Sequence, residues 1–415
     1  MSCPARVYPL HKPENHRVPV PRWHLALPDD VTHVCTTYIG VQKHSDNQGS
    51  DNARDKAIAT IQSWVQGKYG PSAYEVFTVM DGCDVEESTI WVCYWADQTK
   101  YEKGLEDLSL KAIYSQLPEP GRASVGIYRE AFITEIQRLE TNYSGLDYLP
   151  GLAKLPGSTF PEHTLSAYWG AARDRIPSSA WDLFPSSADT TPSASTPQSL
   201  GHYLTGTNPQ NLAHIRSGQF WENCSQQEAD SYDTKLEPTL RSGLEYLWSN
   251  SPSTGALGLR YLRNTDSAVS ETSRPRKETC GAGFFSSLEA LETWAKSHKS
   301  HLAIYRGALT HYKVFGDGRK FRTWHEVSVL KAGDARFEYL NCVPETGVIQ
   351  GLLGRGCQSQ DVNTWQLPSK TITNKHHHQH HHHYHYDELV ITTPRSAQYD
   401  LRTTTGSQRD SSIPW

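Results

Sequence analysis

Two histidines, His301 and His325, have the side-chain type and the spacing to work as a pair. His301 is predicted to close an amphipathic helix, SSLEALETWAKSHKSH (Ser286 to His301), with Ser286 and Glu289 as a capping box at its start. The chain then runs into LAIY, which reads as extended. His325 follows 24 positions later and opens HEVSVL, which reads as a strand. A helix end and a strand start can set two imidazoles on opposite sides of a flat cofactor. One would then ligate iron and the other would move protons near neutral pH. Each also has a plainer reading: a helix-terminal histidine favoured by the macrodipole, and a strand-edge histidine bonded to backbone. His298 lies three residues before His301 and projects to a nearby face, so helical spacing leaves the choice between them open.

The elements that must position these residues can be read from periodicity. Residues 33–42 form a predicted strand, 52–70 a helix with Ala57, Ile58, Ile61, Trp64 and Val65 at helical spacing, and 74–80 and 89–95 two further strands. Residues 98–117 read as a helix and 125–132 as a strand. That order is the split βαβ of ferredoxin-like units. The second half repeats it: LSAYWGAAR as a strand, 225–248 mostly helical, 256–263 and 280–285 as strands, then the 286–300 helix and the strands LAIY and HEVSVL. The predicted fold class is α+β, with duplicated ferredoxin-like units forming a dimeric-α+β-barrel-type domain within one chain.

The 415 residues are long enough for a sizeable core, and a mean hydropathy of −0.61 leaves part of the length for loops or tail. Twelve Trp and 21 Tyr suit an apolar cofactor pocket, and equally the packing of sheets. A net charge of −5 gives no basic footprint for nucleic acid. The eight cysteines are scattered, with no C-x-x-C and no zinc-like spacing. Neither a signal-peptide core nor a membrane-length apolar run occurs. These features predict a cytoplasmic protein with no membrane partner and reduced thiols.

Three domain-level segments are expected: an extended arm at 1–30, a catalytic barrel at 31–350 in halves of about 31–150 and 160–350, and a low-complexity tail at 351–415. Residues 178–210 and 264–279 read as polar surface loops with little order. The tail holds HHHQHHHHYHY (376–386), whose eight histidines read as a natural low-complexity tract with adventitious metal affinity. FGDGRKF reads as a hairpin turn, with Gly316 and Gly318 supplying permissive backbone.

Six blocks, in order along residues 20–350, carry a resemblance. They are IYREAFITEIQRLETNY, SAYWGAARDRIP, NLAHIRSGQFW, ETWAKSHKSHLAIY, TWHEVSVL and FEYLNCVPETGVI. Together they resemble the haem-containing aldoxime dehydratases (phenylacetaldoxime dehydratase-like). The extra loops and His-rich tail resemble a fungal-type member. The 301–325 stretch is slightly longer than in bacterial members.

The resemblance implies a lyase that converts an aldoxime, R–CH=N–OH, to a nitrile and water on ferrous haem b. It implies His301 as the haem-binding axial ligand and His325 as the distal acid/base. It implies that Ser217 bonds the substrate hydroxyl and that Arg175 and Glu140 support the distal histidine. Arg173 competes with Arg175, since on a strand the two would share a face. The implied partners are a small aldoxime and a second copy in a homodimer. Two other readings use the same residues: a peroxidase- or oxygenase-like haem enzyme of the same barrel class, and a non-enzymatic haem sensor.

Overall fold

After a two-residue strand, β1 (Arg22–Trp23), HVCTTYIGVQK forms β2 (His33–Lys43). The structure is a computed structural model, and it describes residues 6–187, 195–265, 276–353 and 357–364. The next helix, α1 (Ser50–Val65), buries Ala53, Ala57, Ile61 and Val65, a four-residue repeat that keeps one stripe against the sheet. β3 (Ala73–Gly82) and β4 (Thr89–Trp95) follow. The predicted 98–117 helix is two helices, α2 (Gln98–Asp107) and α3 (Leu110–Ser115). Ser109 divides them, because its hydroxyl accepts the Ala112 N–H and starts a new helix. β5 (Val125–Glu135) closes the unit, and its strands pair in the order β5-β2-β4-β3, the ferredoxin-like arrangement.

The linking segment holds β6 (Leu139–Tyr143), β7 (Glu162–His163), the one-turn helix α4 (Ala171–Arg175) and β8 (His202–Thr207). The second unit begins at β9 (Leu212–Phe220). It continues through α5 (Gln226–Ser231), a π-helical turn, α6 (Glu237–Ser249) and the single turn α7 (Ser251–Thr254). β10 (Ala256–Asn264), β11 (Glu278–Phe285), α8 (Leu288–Ser297), α9 (Lys299–Phe315) and β12 (Arg322–Leu330) complete it. Its strands pair as β10-β11-β9-β12, the same arrangement again. β13 (Ala335–Leu340), β8 and β14 (Gln358–Asp361), in that order, extend the first unit's sheet beyond β5, and β6, β1 and β7 extend the second beyond β12.

Antiparallel pairing of β3 with β10 joins the two units edge to edge. At the far side β12 approaches β5, and Arg138, in the 3-10 turn just after β5, donates from Nε to the Val329 carbonyl at 2.7 Å. The result is the duplicated α+β barrel. Tyr38, Phe77, Tyr94, Tyr128, Phe132, Leu262, Phe284 and Phe337 fill its interior. Two ion clusters are also enclosed: Arg216 bonds Glu75, and Arg260 grips Glu130 at 2.7 and 2.9 Å. A second apolar layer, including Leu244, Leu247, Leu288, Leu291, Val327 and Val329, lies between the outer sheet face and the helices.

Five expectations are corrected. LSAYWGAAR is a turn leading into α4 and not a strand; Gly170 adopts φ +93, which turns the chain into the Ala-Ala-Arg helix. The strand in that role is β9. LAIY lies inside α9, because a fresh N-cap at His298, whose ring nitrogen accepts the Ser300 N–H, restarts the helix. Ser287, not Ser286, caps α8 by accepting from Ala290. FGDGRKF is a 3-10 turn between α9 and β12, not a hairpin. Part of the expected 178–210 loop is β8, paired with β13 and β14. Residues 188–194 and 266–275 and the His-rich tract lie outside the described residues.

Candidate active site

β9, β12 and β6 are neighbours, and register places Ser217 directly across from His325, and His325 directly across from Asn142. Glu140 lies two residues from Asn142 on β6, opposite Val327. Strand side chains alternate faces, so Ser217, His325, Asn142 and Glu140 share the outer face. The intervening Arg216, Glu326 and Thr141 are buried, with Arg216 and Glu326 meeting Tyr94 in the barrel. The structure thus brings Ser217, His325, Glu140 and Arg175 to one surface.

Arg175 ends α4, and α4 is fastened from several sides. Asp174 accepts from the His11 and Lys12 backbone N–H groups and from the Tyr168 hydroxyl. The two arginines divide cleanly because α4 is a helix. Arg173 reaches away to Glu292 of α8 (2.6–3.1 Å) and to the Leu183 carbonyl. Arg175 reaches in: its Nε donates to Glu140 Oε2 at 2.8 Å and its Nη1 to the Leu165 carbonyl at 2.7 Å.

His325 Nε2 sits 2.8 Å from Arg175 Nη2 and 2.8 Å from Glu140 Oε1. A guanidinium only donates and a carboxylate only accepts. With a proton on Nε2 the ring donates to Glu140; without it, the ring accepts from Arg175. The same nitrogen is therefore held in either protonation state. Nδ1 makes no hydrogen bond among the described residues, which leaves it for a molecule lying on the sheet. Burial opposes the charge on Glu140, whose side chain is fully enclosed, but the Arg175 and His325 charges outweigh it and hold the carboxyl at about 2. Ser217 is half-buried, and its hydroxyl likewise has no partner among the described residues.

His301 lies in the first turn of α9 and does not touch this group. Its Nδ1 bonds the Ala295 carbonyl at 2.7 Å. Only a protonated Nδ1 can make that bond, so Nε2 carries the lone pair of the neutral ring and is the nitrogen free to ligate a metal. Burial pushes the ring's pKa down, against the Ala295 bond. Trp169, six residues before Arg175, bridges the two regions: its ring lies 6.4 Å from His301 and 6.0 Å from Tyr305. His298 faces elsewhere, stacked on Tyr246 at 3.8 Å and bonded to the Ser300 hydroxyl.

The surroundings fit a flat macrocycle. Of the 17 residues of α9, only His311 is buried, while His301, Leu302, Ile304 and Tyr305 are half-exposed. α9 packs chiefly on α6 and α8 rather than on a strand. Its half-exposed residues His301 and Tyr305 face Trp169, which belongs to the segment that leads to Arg175. Arg22, on the same outer face of β1, is half-buried and among the described residues bonds only the carbonyl of Pro21, at 3.4 Å. It offers a free guanidinium to an anionic group.

Three residues escaped sequence reasoning: Arg22, Trp169 and Asn142. RLETNY places Asn142 two positions from Glu140, so strand alternation alone could have put both on one face.

The haem-containing dehydratase family matches residues 37–348. The chain is 30% identical over 350 residues to an aliphatic aldoxime dehydratase of Pseudomonas chlororaphis, covering 84% of this chain and 96% of that one. It is 28% identical over 340 residues to a phenylacetaldoxime dehydratase of Bacillus sp. (strain OxB-1), covering 81% and 93%. A crystal structure of an aldoxime dehydratase with butyraldoxime superposes with a TM-score of 0.71 at 28% identity, covering 83% of this chain and 93% of that one. With six ordered sequence blocks and the duplicated barrel, the chain belongs to the haem-containing dehydratase family.

Proposed function

We propose that this protein dehydrates aldoximes to nitriles and water, with haem b held by His301 and acid/base chemistry at His325. The observation that carries the reading is the His325 geometry: one ring nitrogen secured by Glu140 and Arg175, the other unengaged beside Ser217. Bound ferrous haem supplies an electron-rich iron that can take the oxime nitrogen and weaken N–O.

The chain's own residues supply the rest. Hydroxide leaves poorly, so a proton must reach it as N–O breaks. His325 Nδ1–H is the donor on this face, and the Glu140 carboxylate, ionised at neutral pH, stabilises the imidazolium that carries that proton. Once deprotonated, Nδ1 is the base for the carbon-bound hydrogen, so one ring serves both transfers and ends as it began. Ser217, directly across on β9, orients the N–OH group through its hydroxyl. Among the described residues no base lies in hydrogen-bonding reach of that hydroxyl, which supports a positioning role rather than attack. Arg22 would be a candidate seat for a haem propionate, and the half-exposed residues of α9 around His301 would offer apolar contact to the macrocycle.

The reading includes a small-molecule substrate, a cytoplasmic setting and a homodimer, the last open to light scattering. Among the described residues no helix is long and apolar enough to cross a membrane. The deciding experiment is anaerobic: dithionite-reduced holoprotein plus butyraldoxime should release butyronitrile without oxygen or peroxide. A haem-loaded protein that forms no nitrile from any aliphatic or aryl aldoxime would overturn the proposal.

A further inference from the structure

The row of outer-face residues does not end at His325. On the side away from Ser217, its direct neighbour across the ladder is Asn142 of β6. The Asn142 Oδ1 lies 2.9 Å from His163 Nε2, and His163 Nδ1 lies 3.2 Å from the Leu165 N–H. The backbone N–H can only donate, so His163 Nδ1 must accept. In a neutral ring the proton is then on Nε2, and Nε2 donates to Asn142. Burial first, and then the Arg175 charge, pushes the His163 pKa down to about 4, which keeps the ring neutral at working pH. The chain Leu165 N–H, His163, Asn142 Oδ1 therefore fixes which way the amide points. Its oxygen is consumed, and its NH2 is turned away with no hydrogen-bond partner among the described residues. His325 does not use it, since the two side chains share no hydrogen bond.

We propose that Asn142 is a substrate-contacting specificity residue, whose pinned amide N–H donates to an acceptor atom on the aldoxime's R group next to the oxime carbon. Ser217 and Asn142 flank His325 on opposite sides, two strand spacings or roughly 10 Å apart at the backbone. If Ser217 and His325 handle the N–OH end, Asn142 faces the carbon substituent. The site would favour an oxygen or nitrogen acceptor there over a plain methylene, because an unmet donor beside a bound alkyl chain loses water and gains nothing. The inference rests on the dehydratase reading for the orientation of the substrate.

Two aldoximes of matched size test it: methoxyacetaldoxime and butyraldoxime, which differ by an ether oxygen in place of a CH2. For each, kcat and KM would be measured anaerobically, and Kd by spectral titration of the ferrous holoprotein. In Asn142→Leu the methoxy-to-butyl ratio of kcat/KM should fall roughly three- to tenfold, the span one neutral hydrogen bond supports. KM and Kd should carry the change, with kcat for butyraldoxime within about twofold. Asn142→Ala, read by the same ratio, decides the matter if the leucine variant loses haem. An unchanged ratio in the variants would overturn the assignment. If wild type converts neither aldoxime, the dehydratase reading fails on its own terms, and the ratio of Kd values still judges Asn142.

Discussion

Glu140→Gln isolates what the buried carboxylate contributes to the distal histidine. A carboxyl held at about 2 instead of its ordinary 4.5 corresponds to about 3 kcal/mol, at ~1.36 kcal/mol per pH unit. That figure is net of the burial cost, and it is shared between two cations, Arg175 first and His325 second. Glutamine keeps the shape and removes the charge. Turnover should fall by roughly tenfold, the scale of losing one charge-assisted hydrogen bond to the ring that moves the protons. The assay is the anaerobic pH profile of kcat at saturating aldoxime, with haem content checked at each pH. Stability supplies a second reading. The folded value of Glu140 lies below its unfolded one, so its contribution is present above pH 4.5 and is lost as pH falls toward 2. The variant should lose stability at neutral pH and lose this acid dependence. Unchanged turnover across that profile in a haem-replete Glu140→Gln protein would refute the claim that this carboxylate supports the proton transfers at His325.

Other outcomes follow from the same geometry. His301→Ala should shed haem or most of its Soret absorbance, while His298→Ala, whose ring is stacked on Tyr246, should keep it; the reverse pattern would move the ligand to His298. Ser217→Ala should retain haem and lose about 10²–10³ in kcat, the range for one transition-state donor, and a covalent adduct on Ser217 would contradict a positioning role. His325→Ala should still bind haem and aldoxime but lose about 10²–10⁴ in turnover, and activity within tenfold of wild type would remove it from the chemistry. Deleting 370–415 should leave haem content and turnover within about twofold, since apolar periodicity is absent there; insoluble or haem-free protein would show that the segment packs on the rest.

The sequence by itself determined the repeated strand–helix–strand–strand–helix–strand order in its first copy and most of its second. Runs such as HVCTTYIGVQ, TIWVCYW and HEVSVL have the β-branched and aromatic content that suits a pleated, half-buried surface. It also carried the residue types of the site, through the blocks around His301, His325 and Ser217. Short apolar stretches misled it. LAIY carries no period of its own, so two-residue and 3.6-residue spacings fit equally; the cap at His298 and the packing of α9 on α6 and α8 make it a helix. SAYWGAAR failed because a single left-handed glycine turns the chain into α4. Only the tertiary structure separated Arg175 from Arg173, since the choice depends on Glu140 and His325, 35 and 150 residues away, and on Glu292, 119 away. Register did the rest. A ladder contact between strands remote in sequence leaves no local signal, yet it sets Ser217, His325 and Asn142 in one row and decides which atoms can meet a substrate.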